Sequence, residues 1–89
     1  QDIPITPINY VWRTGETLVI NDATTETTFA ADPYIIQQQP KSILCLPIQH
    51  QGKAIALLYL ENNLITGAFT PARLELLKVL SAQAAISLS

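Results

Sequence analysis

The sequence contains no methionine, one cysteine, one histidine and one tryptophan in 89 residues. A single cysteine, Cys45, rules out an internal disulfide framework and a cysteine-based zinc cage, and it fits a reducing compartment. His50 stands beside a turn with no second metal-ligand type nearby in sequence, which argues against a metal centre or a general base. Basic residues are few: Arg13, Lys41, Lys53, Arg73 and Lys78 form no run, and the net charge is −2. A nucleic-acid partner needs a cluster that tracks phosphates, so that class is excluded. No apolar stretch is long enough to span a bilayer and no signal peptide is visible, so no membrane partner is expected and the expected location is the cytoplasm. There is no glycine-rich phosphate loop, nucleophile-elbow serine or suggestively spaced carboxylate pair, so no catalysis is expected within this segment. The lack of methionine reads as a piece of a longer polypeptide.

What is present is apolar. Hydrophobic residues make up 48% of the chain and charged residues 13%. That suffices for one small domain with one core, and it suggests a partner surface for what the chain cannot bury alone.

Ser42 to Asn62 is the organising stretch. Two apolar runs flank Gln51-Gly52, a two-residue turn signal, so the stretch predicts a β-hairpin. A turn there sets His50 opposite Lys53, Ile48 opposite Ile55, Leu46 opposite Leu57 and Leu44 opposite Tyr59. Pro47 then faces Ala56. Both arms are apolar on both faces, which predicts central strands covered on two sides.

The rest follows in order. Residues 1–5 read as extended. Thr6-Pro7 predicts an N-cap and first helical position, and Thr14-Gly15 a glycine stop. Ile8, Val11 and Trp12 share a side of this helix, with Trp12 expected in the core. Leu18 to Asn21 predicts a strand, and Asp22 to Thr28 a polar loop. Asp32-Pro33 marks a turn or helix start, with helical turns over Tyr34 to Gln39 ended by Pro40. Thr70-Pro71 starts a helix running towards Ser89. Leu74, Leu76, Leu77, Leu80, Ala84 and Leu88 form one stripe expected on the sheet. Val79, Ala82 and Ile86 form a second stripe, which either meets a partner helix in a homodimer or packs within the domain. The class is α+β: three antiparallel strands with helices on their faces.

These segments together resemble a known family. Ser42-Ile-Leu-Cys-Leu-Pro-Ile48, Gln51-Gly52-Lys53, Leu58-Tyr-Leu-Glu-Asn62 and Gly67-Ala-Phe-Thr-Pro71 resemble the second half of a GAF domain. Tyr10-Val11, Arg13 to Glu16, Leu18 to Ala23 and the closing Leu77 to Ile86 are similar too. The resemblance implies a sheet of five or six strands with a small-molecule pocket on one face. On that comparison residues 1–89 form a partial domain lacking the family's first helix and first two strands, and Ala54 to Glu61 have an open edge. It also implies a sensory module in a large bacterial, cyanobacteria-like signalling protein, with a histidine kinase in the same polypeptide. The alternative is a structural dimerisation fragment without a ligand.

Carried onto this chain, the pocket side involves Asp22, Phe29, Asp32 and Tyr34. Two readings stand. Phe29 and Tyr34 stack on a flat ligand that donates hydrogen bonds to Asp32, or the aromatics are local core and Asp32 caps a helical turn. The sequence names no cofactor.

Overall fold

A computed structural model describes residues 2–88. Gln1, at the start of the expected extended segment, and Ser89, at the expected end of the last helix, lie outside the described residues. The elements run α1 (Ile5–Thr14), β1 (Leu18–Ile20), α2 (Pro33–Gln38), β2 (Ser42–His50), β3 (Lys53–Asn62) and α3 (Pro71–Leu88). The three strands form one antiparallel sheet in the order β1-β2-β3. This is the expected α+β architecture.

The hairpin turns where expected. Gln51 and Gly52 both have positive φ, 52° and 78°. Two such residues in succession give a type I′ turn, whose twist matches the strands it joins. His50 pairs with Lys53, as the turn predicts, but the register then slips. Gln49 pairs with Ala54 and Ile48 with Ala56, so Ile55 is the extra residue of a bulge. Beyond it Pro47 faces Leu57, Leu46 faces Leu58, Cys45 faces Tyr59 and Leu44 faces Leu60. The other expected pairs are therefore each wrong by one residue. Side chains alternate along a strand, so the slip decides what faces what. Tyr59 and Glu61 join Ile43 and Cys45 on one face, while Leu58 and Leu60 join Leu44 and Leu46 on the other.

Only one arm is central. Ser42 to Leu46 are buried, whereas no residue of β3 is fully buried. The expectation of two covered arms fails because β3 is the edge of this sheet and β2 has neighbours on both sides. The β1 ladder ends at Cys45, two residues before Pro47, so the missing N–H of Pro47 interrupts no pairing there.

The first helix corrects two expectations. It starts at Ile5 with Pro4 at the N-cap, and no side chain of its own caps it. Its buried line is Pro4, Pro7 and Val11. Trp12 lies about 100° further round and is 52% exposed, not in the core. Gly15 ends the helix as expected, at φ 71° with its N–H donated to the Val11 carbonyl.

In α3, Thr70 caps as expected, its hydroxyl accepting the Arg73 N–H at 3.3 Å. The sheet-facing line differs from the expected stripe. Leu74, Leu77 and Ala84 are half-buried, Ser81 and Ala85 are buried, and Leu76, Leu80 and Leu88 are exposed. Small side chains let the helix lie close to β2. Because α3 is apolar on nearly every side, its large residues cannot all face one sheet.

Candidate functional site

The face of the sheet opposite α3 carries the main core cluster: Ile20, Ala23, Phe29, Ile35 and Ile43. Tyr10, Leu18, Tyr34 and Tyr59 pack around it half-buried. The loop from Asp22 to Ala31 and helix α2 cover this face, and the sequence-predicted site residues lie here.

Asp32 is 3% exposed and caps two helices at once. Its Oδ1 accepts the N–H groups of Tyr34 at 2.9 Å and Ile35 at 3.3 Å, closing the start of α2. Its Oδ2 accepts the Thr6 N–H at 2.9 Å, supplying the cap that α1 lacks. Burial pushes its pKa up, but the hydrogen bonds from Thr6, Ile35 and Tyr34 outweigh it, so the carboxyl sits below its ordinary value.

Phe29 is buried and meets Tyr10 edge-on, with ring centroids 5.8 Å apart. Tyr34 donates its hydroxyl to Glu61 Oε1 at 2.7 Å. Tyr59 donates to the same oxygen at 2.7 Å. The Glu61 carboxylate holds the Tyr34 proton and raises its pKa to about 12. Tyr59 rises further, through burial first and Glu61 second. Asp22 stands apart from this group. Its carboxylate accepts the N–H and hydroxyl of Thr24, and the hydroxyl bond, above all, lowers its pKa.

The structure thus brings Phe29, Asp32 and Tyr34 into one packed unit and leaves Asp22 on its rim. Sequence reasoning missed Glu61 and Tyr59 as members. A signal existed, since a tyrosine two residues before an acid on a strand shares its face. Cys45, opposite Tyr59, is fully buried and its thiol is pushed up to about 11 by that burial, so it is a protonated core residue. No group of three metal-ligating side chains occurs among the described residues. Nor is any helix among them long and apolar enough to cross a membrane.

Two clefts stand out among the described residues. One of about 280 Å³ lies between the Asp22 to Ala31 loop and α2, with Ala23, Ala30, Ile35 and Ile36 as apolar walls and Glu26 and Gln39 among its polar groups. The other, about 300 Å³, lies between α3 and the end of β2, beside Leu46, Ile48, Lys78 and Ser81.

The chain has relatives. Over 82 residues, 92% of its length, it is 51% identical to hybrid signal transduction histidine kinase G of Dictyostelium discoideum. That stretch is 2% of the kinase, so the chain spans a small part of this curated relative. In fold it is similar to the crystal structure of a GAF domain region from Geobacter sulfurreducens PCA, with a TM-score of 0.77 at 22% identity. The likeness covers 100% of this chain and 61% of that one. The model of the GAF domain family matches residues 1–88. On that match the chain belongs to the GAF domain family.

Proposed function

We propose that this chain is a sensory or regulatory module of a signalling protein, acting in the cytoplasm on a histidine kinase in the same polypeptide. The 51% identity to a segment of a hybrid histidine kinase carries this reading. The signal leaves through α3, and two copies pair along it. What supports the pairing is the exposed apolar surface of that helix. Leu76, Val79, Leu80 and Ile86 are each more than half exposed, and Ala82 lies exposed between them. Val79 and Ile86 repeat at the seven-residue interval of a helix pair.

Introducing charge there tests the pairing. Val79→Glu with Ile86→Glu is expected to turn a dimer into a monomer in sedimentation equilibrium, with the circular dichroism spectrum unchanged. An unaltered oligomeric state would remove the pairing from the account.

The second reading is a small-molecule site on the α2 side, with Asp22, Phe29, Asp32 and Tyr34 as its residues. What supports it is the 280 Å³ cavity next to this group, which none of the four residues lines and whose volume is close to the lower end of ligand-pocket volumes. Its apolar walls adjoin Phe29 and Tyr34 in sequence. In this reading the chain is a partial domain, preceded in the longer protein by one further helix and two strands, one of which covers β3. The half-buried residues along β3 and the 61% coverage of the bacterial structure support that. Native mass spectrometry decides the matter on this chain and on a polypeptide extended before Gln1. Extra mass retained on the longer polypeptide is expected. Bare protein in both would leave a dimerisation fragment without a ligand.

A further inference from the structure

Glu61 sits at the meeting point of two parts of the molecule that share no strand. On one side is α2, tied to it by Tyr34 OH at 2.7 Å across 27 residues of sequence. On the other is its chain neighbour Asn62, whose side-chain oxygen accepts the Leu64 N–H at 2.8 Å and the Ile65 N–H at 2.9 Å. The Asn62 carbonyl also accepts the Lys41 N–H at 2.9 Å. The loop it shapes is fastened at two more points. Ser42 Oγ donates to the Ile65 carbonyl at 3.0 Å, and the Gly67 N–H donates to the Asn21 carbonyl at 2.7 Å. From there the chain enters α3, with Arg73 Nη1 donating back to the Ala68 carbonyl at 2.6 Å.

We propose that Glu61 is a mechanical joint: the Tyr34–Glu61 hydrogen bond makes the position of α2 and the conformation of the loop entering α3 one coupled unit. Several observations converge on this. A hydrogen bond to a carboxylate is stronger than one between neutral groups, and this one links elements far apart in sequence. Glu61 is the last residue but one of β3, and the residue after it, Asn62, both closes the strand and shapes the loop, so a shift at Glu61 has one peptide unit to cross before it reaches that loop. The second donor, Tyr59, lies on β3 itself and holds the carboxylate in place without reaching α2. Tyr34 is therefore the member that carries movement, and Tyr59 is a donor within β3 that does not. Coupling of this kind needs a contiguous set of contacts with two arrangements, Tyr34 bonded or released.

The joint rests on the reading of α3 as the output helix. Its test uses neither ligand nor kinase, so the two fail separately. Amide hydrogen exchange is compared in the wild-type protein, Tyr34→Phe and Tyr59→Phe, with protection read relative to the central amides of β2. Removing the Tyr34 hydroxyl is expected to lower protection about fivefold in α2 and equally at Leu64, Ile65 and Gly67. Tyr59→Phe is expected to leave these sites within about twofold of wild type. Faster exchange in α2 with Leu64, Ile65 and Gly67 unchanged would make the bond a local tether and overturn the joint. A uniform loss along the chain, or the same pattern in both variants, would overturn it as well.

Discussion

Replacing Asp32 with alanine is expected to lower the stability of the fold by about 3 kcal/mol. An ordinary helix cap contributes about 1 kcal/mol. Asp32 does more, because its carboxylate also satisfies the Thr6 N–H at the start of α1. Its removal leaves the N–H groups of Thr6, Tyr34 and Ile35 without their acceptor at a site that is 3% exposed. Each buried donor left unmatched adds to the loss. Asn at this position keeps one oxygen acceptor but not the charge, and is expected to retain about half of the stability. Urea unfolding of the three proteins measures this. A loss under about 1 kcal/mol for alanine would show that water replaces the carboxylate without difficulty.

The same residue predicts a pH dependence. The Asp32 pKa is lower in the folded chain than its ordinary value of 3.8. The unfolded state therefore takes up a proton first as the pH falls. Stability from the charged form is fully present above about pH 5, declines as the pH passes through 3.8, and is gone below the depressed folded value. Asp22 and Glu26 are lowered too and contribute in the same direction. The difference between wild type and Asp32→Asn isolates Asp32. That difference should be constant near neutrality and shrink towards acid.

Leu44→Ala is expected to cost about 3–4 kcal/mol. Leu44 has no exposed surface. It pairs with Val19 on one side and Leu60 on the other, in the central strand and on the face away from the main cluster. Deleting its branched end leaves a cavity that three paired strands cannot readily close. A small domain has about 5–15 kcal/mol of total stability, so the midpoint of urea unfolding should fall by a large fraction. Leu76→Ala is the contrasting change. Leu76 is 59% exposed on α3, and in a chain kept monomeric by Val79→Glu with Ile86→Glu its removal is expected to matter by about 0.5 kcal/mol or less. A larger loss for Leu76→Ala in the otherwise unchanged chain is what pairing along α3 would produce, because a second copy covers that face in solution.

These two leucines show what a sequence conveys about this protein and what it withholds. Element identity was legible because it is set by local chemistry. The turn at Gln51-Gly52, the stop at Gly15, the start at Thr70-Pro71 and the α+β order all follow from residues within a few positions of one another. The family resemblance is local in the same sense, being a string of short segments.

Facing was not legible. Periodicity placed Leu76 and Leu80 on the sheet, but an apolar helix has no unique inner side until a surface selects one. β2 selected the line through Ser81 and Ala85. Trp12 was expected inside and lies outside, because α1 docks along Pro4, Pro7 and Val11. The bulge at Ile55 moved the hairpin by one residue, and only that slip brings Tyr59 and Glu61 to the face of Tyr34. The candidate site suffered most, for the same reason. Its central contacts join residue 6 to 32 and 34 to 61. Bonds at such separations exist only once the chain has folded, since packing brings their partners together and no local propensity encodes it. Asp32 was visible in the sequence as a helix cap, but that it caps a second helix was decided by the tertiary structure alone.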